Sequence, residues 1–125
     1  MENKSHILIV DDDADIRNVL CFLLNDKYNV AQANDGKAAL EYLNENPQTD
    51  LVVLDVMMPE MSGYEVCAKI REFSNVPILF LTAKSKEEDR LSAYGSGGDD
   101  FLSKPFSQAE FLAKVSSLLR RGAGW

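Results

Sequence analysis

Five short apolar runs, each followed by an amphipathic stretch, set the rhythm of the chain. The runs are Ile7–Val10, Val30–Ala33, Leu51–Leu54, Ile78–Leu81 and Phe101–Leu102 with its neighbours. Several are rich in Val, Ile and Leu with little alternation, the pattern of strands covered on both faces. The stretches between them repeat at helical spacing. Ile16, Val19, Leu20, Leu23 and Leu24 form one stripe, Ala38, Ala39, Tyr42 and Leu43 a second, and Val66, Cys67 and Ile70 a third. Leu91 and Tyr94 mark a weaker helix, and Phe111, Leu112, Val115, Leu118 and Leu119 a strong last one. Ser107 with Glu110, and Ser85 with Glu88, read as capping boxes. Asn34 and Asp35 read as caps after the second run, and Gly36, Gly63 and Gly95 punctuate helix starts or stops. This alternation predicts parallel strands with helices on both faces of the sheet.

Composition agrees with that picture. A chain of 125 residues leaves little room for a second domain, and 46% hydrophobic residues supply an ordinary core. We assign residues 1–121 to the folded domain and 122–125 to a disordered or appended tail, with Arg120–Arg121 marking the start of a linker to an output domain. By analogy with other doubly wound sheets, the expected architecture is α/β and flavodoxin-like, with five parallel strands in the order 2-1-3-4-5 and five helices. The net charge of -7 disfavours direct nucleic-acid binding and docking on anionic membranes. No apolar run is long enough to span a bilayer, and Met1–His6 lacks the apolar stretch of a signal peptide. Cys21 and Cys67 make no disulfide framework, so buried, reduced thiols and a cytoplasmic setting are expected.

Candidate chemistry lies just after the apolar runs, because open parallel sheets bind ligands at the carboxyl ends of their strands. The first run is followed by Asp11, Asp12 and Asp13, the third by Asp55, the fourth by Thr82 and Ala83, and the fifth by Ser103, Lys104 and Pro105. Asp11, Asp12 and Asp55 together would raise one another's pKa values unless a cation compensates. Lys104 supplies one positive charge, and a hard divalent ion such as Mg²⁺ supplies two. Asp55 is then set for in-line attack on a phosphoryl group, with Thr82 donating its hydroxyl and Ala83 leaving room. Asp13 reads as the cap of the first helix. His6 reads as a surface or strand-edge residue, and Met57, Met58 and Met61 as loop packing.

Four segments together resemble the bacterial response-regulator receiver domain: Ile-Leu-Ile-Val-Asp-Asp-Asp (7–13), Leu-Asp-Val-Met-Met-Pro-Glu-Met-Ser-Gly (54–63), Phe-Leu-Thr-Ala (80–83) and Phe-Leu-Ser-Lys-Pro-Phe (101–106). The resemblance covers Ile7 to Arg121. It implies Asp55 as phosphoacceptor, Asp11, Asp12, Asp55 and the Met57 carbonyl as magnesium ligands, and Thr82 and Lys104 as catalytic partners. It further implies Thr82 and Phe101 as the switch pair, a cis peptide at Lys104–Pro105, and a sensor histidine kinase as phosphodonor. Met57 and Lys84 would flank the hydrolytic water, and neither is an obvious base, so slow self-dephosphorylation is expected. The end of the chain is similar to receivers of the winged-helix DNA-binding subfamily. That likeness implies a phosphorylation-dependent homodimer through the fourth helix, fifth strand and fifth helix, pairing Arg90 with Glu110, Asp100 with Lys114 and Asp99 with Arg121.

Two positions depart from the family pattern. Phe101 stands where tyrosine is usual, and Gly98 stands where alanine is usual, which should loosen the loop before the last strand. Two other functions compete. A phosphohydrolase with an aspartyl-phosphate intermediate would need a second carboxylate at Met57, and a flavodoxin-like mononucleotide binder would need a Gly- or Ser/Thr-rich loop where Asp11–Asp13 stand.

Overall fold

The computed structural model describes residues 4–83, 95 and 97–122. The apolar runs become β1 (His6–Val10), β2 (Asn29–Ala33), β3 (Leu51–Asp55), β4 (Ile78–Thr82) and β5 (Asp100–Ser103). The amphipathic stretches become α1 (Ala14–Leu24), α2 (Gly36–Glu45), α3 (Gly63–Ile70) and α4 (Gln108–Gly122). The helix expected around Leu91 and Tyr94, with its Ser85–Glu88 cap, lies outside the described residues. All strand pairs are parallel, in the order β2-β1-β3-β4-β5. Among the described residues, no helix is long and apolar enough to cross a membrane.

The strands alternate between two cores because successive side chains leave opposite faces. Leu8, Val10, Val52, Leu54, Ile78 and Phe80 pack with Ala39 and Leu43 of α2 and Val66, Cys67 and Ile70 of α3. Ile7, Ile9, Leu51, Val53, Leu79 and Leu81 pack with Leu20, Cys21 and Leu24 of α1 and Phe111, Val115 and Leu118 of α4. Every residue of β3 and β4 is buried, which accounts for their unbroken apolar character. Both cysteines are buried free thiols. One stripe residue is misassigned: Val19 is 59% exposed, on the solvent side of α1 beside the even more exposed Phe22.

Capping follows the polar punctuation. Asp13 accepts from the Asp15 and Ile16 amides, Asp35 from Ala38, and Ser107 with Glu110 forms the reciprocal pair that starts α4. A further capping box, Ser62 with Glu65, starts α3 and was not anticipated. Helix α4 runs one residue into the expected tail, through Gly122. The glycine pair before β5 is also packed differently from the expected slack loop. A Cβ on Gly98 would run into the Phe80 ring, and Tyr64 meets that ring edge-on at 5.2 Å on centroids. Glycine is required there by close approach, so the loop is filled, not loosened.

Candidate functional site

Parallel register brings the strand-end residues together. Val10 is paired with Leu54, so Asp11 and Asp55 follow side by side; Asp55 is paired with Leu81, and Thr82 with Ser103. Asp55 and Thr82 are the last residues of their strands and are buried, as is Asp11. The Lys104 amide donates to the Thr82 carbonyl at 2.7 Å, which continues the ladder and turns the lysine toward the acids. Gly63 closes the site from below: its amide donates to the Val56 carbonyl at 3.0 Å, and a Cβ there would strike the backbone of Asp55 and Val56. The start of α3 can therefore sit directly against the phosphoacceptor candidate only through glycine.

One carboxylate oxygen from each of Asp11, Asp12 and Asp55 lies within 4.8 Å of the others. Lys104 Nζ is 3.4 Å from Asp55 Oδ1 and 3.9 Å from Asp11 Oδ2. Burial pushes the Asp11 carboxyl above its ordinary pKa; the Asp13 amide opposes that, and the charges of Asp55 and Asp12 add to it. Burial likewise raises Asp55, against the pull of Lys104 and an amide hydrogen bond from Met57. Asp12 is exposed at the mouth.

The donor set fits a hard divalent cation. Asp11 Oδ2 is buried and has no hydrogen-bond partner, a costly state for a carboxylate oxygen in a protein interior. Three clustered carboxylates against one lysine leave negative charge over, and all the ligand atoms are oxygen, which suits Mg²⁺.

The other expected site residues fall as follows. The Lys104–Pro105 peptide is cis. Phe101 is half-buried against the core beside α3. Met57 is 55% exposed and does not pack; Met58 and Met61 do. Ala83 is exposed next to Thr82. Lys84 and Arg90 lie outside the described residues. The charges expected at a dimer face are already engaged within the chain: Lys114 Nζ meets Asp100 Oδ2 at 2.9 Å, Asp99 Oδ2 meets Arg71 Nη2 at 3.0 Å, and Glu110 belongs to the α4 cap. Arg121 is exposed.

Sequence reasoning missed two arginines. Arg17 reaches from α1 to the Asp11 carbonyl and to Gln32, and Arg71 ties α3 to the turn before β5. The signal for Arg17 was its position. A cation in the first turn of a helix opposes the macrodipole, so it needs another reason to be there.

Comparison with known proteins accords with this geometry. The response regulator receiver domain family matches residues 7–116. The chain is 50% identical over 116 residues to the uncharacterized transcriptional regulatory protein YrkP of Bacillus subtilis, covering 92% of this chain and 49% of that one. It is 43% identical over 120 residues to the CpxR homolog of Haemophilus influenzae, covering 95% of this chain and 52% of that protein. The chain thus spans about half the length of the curated relatives it matches. Among solved structures, the BeF3-activated receiver domain of DrrB, an OmpR/PhoB homolog of Thermotoga maritima, superposes with a TM-score of 0.84 at 34% identity, covering 94% of this chain and 99% of that one.

Proposed function

The chain belongs to the response regulator receiver family, and from that premise we propose that it is a switch that accepts a phosphoryl group on Asp55. The observation that carries the reading is the buried Asp55, paired with Lys104 and set beside Asp11 Oδ2, a buried oxygen with no hydrogen bond. The Asp55 carboxylate attacks phosphorus in line; its O–P bond forms as the bond to the donor's imidazole nitrogen breaks, and the imidazole leaves with that electron pair and takes up a proton. Lys104 and the Thr82 hydroxyl hold the phosphoryl oxygens. Asp11, Asp12, Asp55 and the Met57 carbonyl would hold Mg²⁺, which when bound supplies Lewis-acid polarisation of the phosphoryl group and keeps the carboxylates ionised. Acetyl phosphate with Mg²⁺ should add one phosphoryl group per chain by intact mass, lost in Asp55→Asn and in excess chelator. Full labelling of Asp55→Asn would overturn the assignment, and sustained hydrolysis of many phosphoesters would favour the phosphohydrolase.

A sensor histidine kinase is the proposed donor. A groove between α1 and the Lys104–Pro105 turn, lined by Ile16, Val19, Leu23 and Phe106, borders the site and is largely apolar, with Phe22 fully presented beside it. A helix bearing a phosphohistidine fits such a groove. The output is proposed to be transcription control, since the relatives are named transcriptional regulators. Phosphorylation would reach that output through Thr82 and Phe101 and a twofold dimer. In such a dimer Asp100 and Asp99 must share or exchange Lys114 and Arg71 for partners across the axis, which keeps the resting form mainly monomeric. Sedimentation with and without beryllofluoride tests this. Arg90→Glu is the cleaner probe, because Glu110→Lys would also break the α4 cap. An activated dimer undiminished in Arg90→Glu would show the interface to be elsewhere. Met57→Asn should change the phosphoryl lifetime; an unchanged lifetime would remove any role for position 57.

A further inference from the structure

We infer that Arg17 is a positioning residue for the metal-ligating loop, an inference that rests on Asp11 and Asp12 being the magnesium ligands proposed above. Asp11 has four polar atoms, and three are tied down. Its amide donates to the Ala33 carbonyl at 3.2 Å, its Oδ1 accepts from the Asp13 amide at 2.9 Å, and its carbonyl accepts from Arg17 Nη1 at 2.6 Å. Only Oδ2 is left without a hydrogen bond, and it lies 3.9 Å from Lys104 Nζ. Arg17 is itself held, since its Nε donates to Gln32 Oε1 at 3.0 Å. The chain Gln32–Arg17–Asp11 thus links strand β2 and helix α1 to the peptide that aims the ligand oxygen.

The position of this charge supports the role. Arg17 sits in the first turn of α1, at the positive end of the helix dipole, with its guanidinium on the carbonyl of a proposed cation ligand. Coulomb's law alone says that removing it should tighten Mg²⁺ binding. If Arg17 holds the ligand loop in place, removing it should weaken binding instead. The two accounts differ in sign.

The test is Mg²⁺ titration of the full chain by calorimetry, with Arg17→Gln, Arg17→Lys, Gln32→Ala and Asp12→Asn, together with acetyl phosphate labelling rates across Mg²⁺ concentration and melting in chelator. Outer-shell partners of metal ligands typically change affinity 10–100-fold, so Arg17→Gln should raise the Kd about 10-fold. Arg17→Lys should fall between wild type and Arg17→Gln, because an ammonium keeps the charge but cannot hold both acceptors in one planar fork. Gln32→Ala should raise the Kd by about 2–3-fold, in the same direction, because it removes only the outer anchor. Labelling should need more Mg²⁺ but reach the wild-type plateau rate. Unchanged or tighter Mg²⁺ binding in a folded Arg17→Gln protein overturns the inference, as does a plateau that saturating Mg²⁺ does not restore. If Arg17→Gln fails to fold, Arg17→Lys and Gln32→Ala decide by the same criteria. Wild-type protein that binds no Mg²⁺ would overturn the metal reading and this inference together. Binding that is lost in Asp12→Asn yet intact in the Arg17 variants would overturn this inference alone.

Discussion

At the amino end of β4 and β5, Arg71 saturates its surroundings; at the carboxyl end, two buried carboxylates share one lysine. Arg71 donates to the carbonyls of Gly97, Val76 and Ser74 at 2.8, 2.7 and 3.2 Å and to Asp99 Oδ2, which also accepts the Ile78 amide at 2.8 Å. Asp11 Oδ2 has no such partner, and Lys104 reaches Asp55 only at 3.4 Å. Both ends place charge against apolar walls. One has all three guanidinium nitrogens hydrogen-bonded and serves as a clamp. The other is left short of positive charge, which costs stability and leaves an opening for a ligand. The comparison separates architectural from functional use of the same residue types: completed hydrogen bonds mark the first, a missing partner the second.

The sharpest way to break the comparison is at the clamp. Arg71→Ala strips three carbonyls and Asp99 of their partner, and should lower unfolding stability by roughly 2–3 kcal/mol. Asp99 is partly exposed, so solvent softens the loss of its ion pair. Urea unfolding should show the same loss with and without Mg²⁺. A loss confined to one condition would mean that the two ends are not separate in function.

A smaller effect tests the packing that closes the same edge. Gly98→Ala forces a methyl into the Phe80 ring and should cost about 1–3 kcal/mol. Phe80→Leu opens that space, so the double variant should lose less than the sum of the singles. Strict additivity in the cycle would show that the ring and the glycine are not in contact in solution.

The carboxyl end should respond in the opposite direction. Asp11→Asn keeps the acceptor for the Asp13 amide and removes a buried charge, so in chelator it should stabilise by on the order of 1 kcal/mol, or roughly 3–6 °C in melting temperature. With Mg²⁺ the order should reverse, because only the wild type gains ligand stabilisation. A destabilised variant in chelator would mean that Asp11 is structurally paired after all.

The least effect is a slope. Asp11 and Asp55 both hold their protons more tightly folded than unfolded, chiefly because they are buried. Their contribution is therefore fully present below the unfolded carboxyl pKa of about 4 and is lost as pH rises through the folded values. As pH rises above about 4, metal-free wild type should lose stability relative to Asp11→Asn, and Mg²⁺ should flatten the difference. Parallel pH profiles in chelator would contradict the raised carboxyl pKa of Asp11.

Much of the site was legible because its residues follow apolar runs that could only be doubly covered strands. Once the strands are parallel, Asp11, Asp55, Thr82 and Lys104 must share one edge. The misreadings have two origins. Val19 and Met57 are apolar residues at positions that periodicity or loop context marks as packed, yet both are exposed. Gly98 looked like slack because the ring it packs against, Phe80, is 18 positions away in the chain.

By itself, the sequence determined the strand–helix alternation, the caps at Asp13, Asp35 and Ser107, and the identity of the acidic cluster, because each depends on local spacing and on side-chain chemistry. Tertiary structure alone decided which charges are satisfied. Arg17 and Arg71 draw their meaning from carbonyls and acids brought near by register and helix packing, and the Asp11 oxygen without a hydrogen bond exists only once three other contacts have fixed that residue in place. Spacing along a chain tells which groups are present, whereas hydrogen-bond satisfaction is a property of the folded neighbourhood.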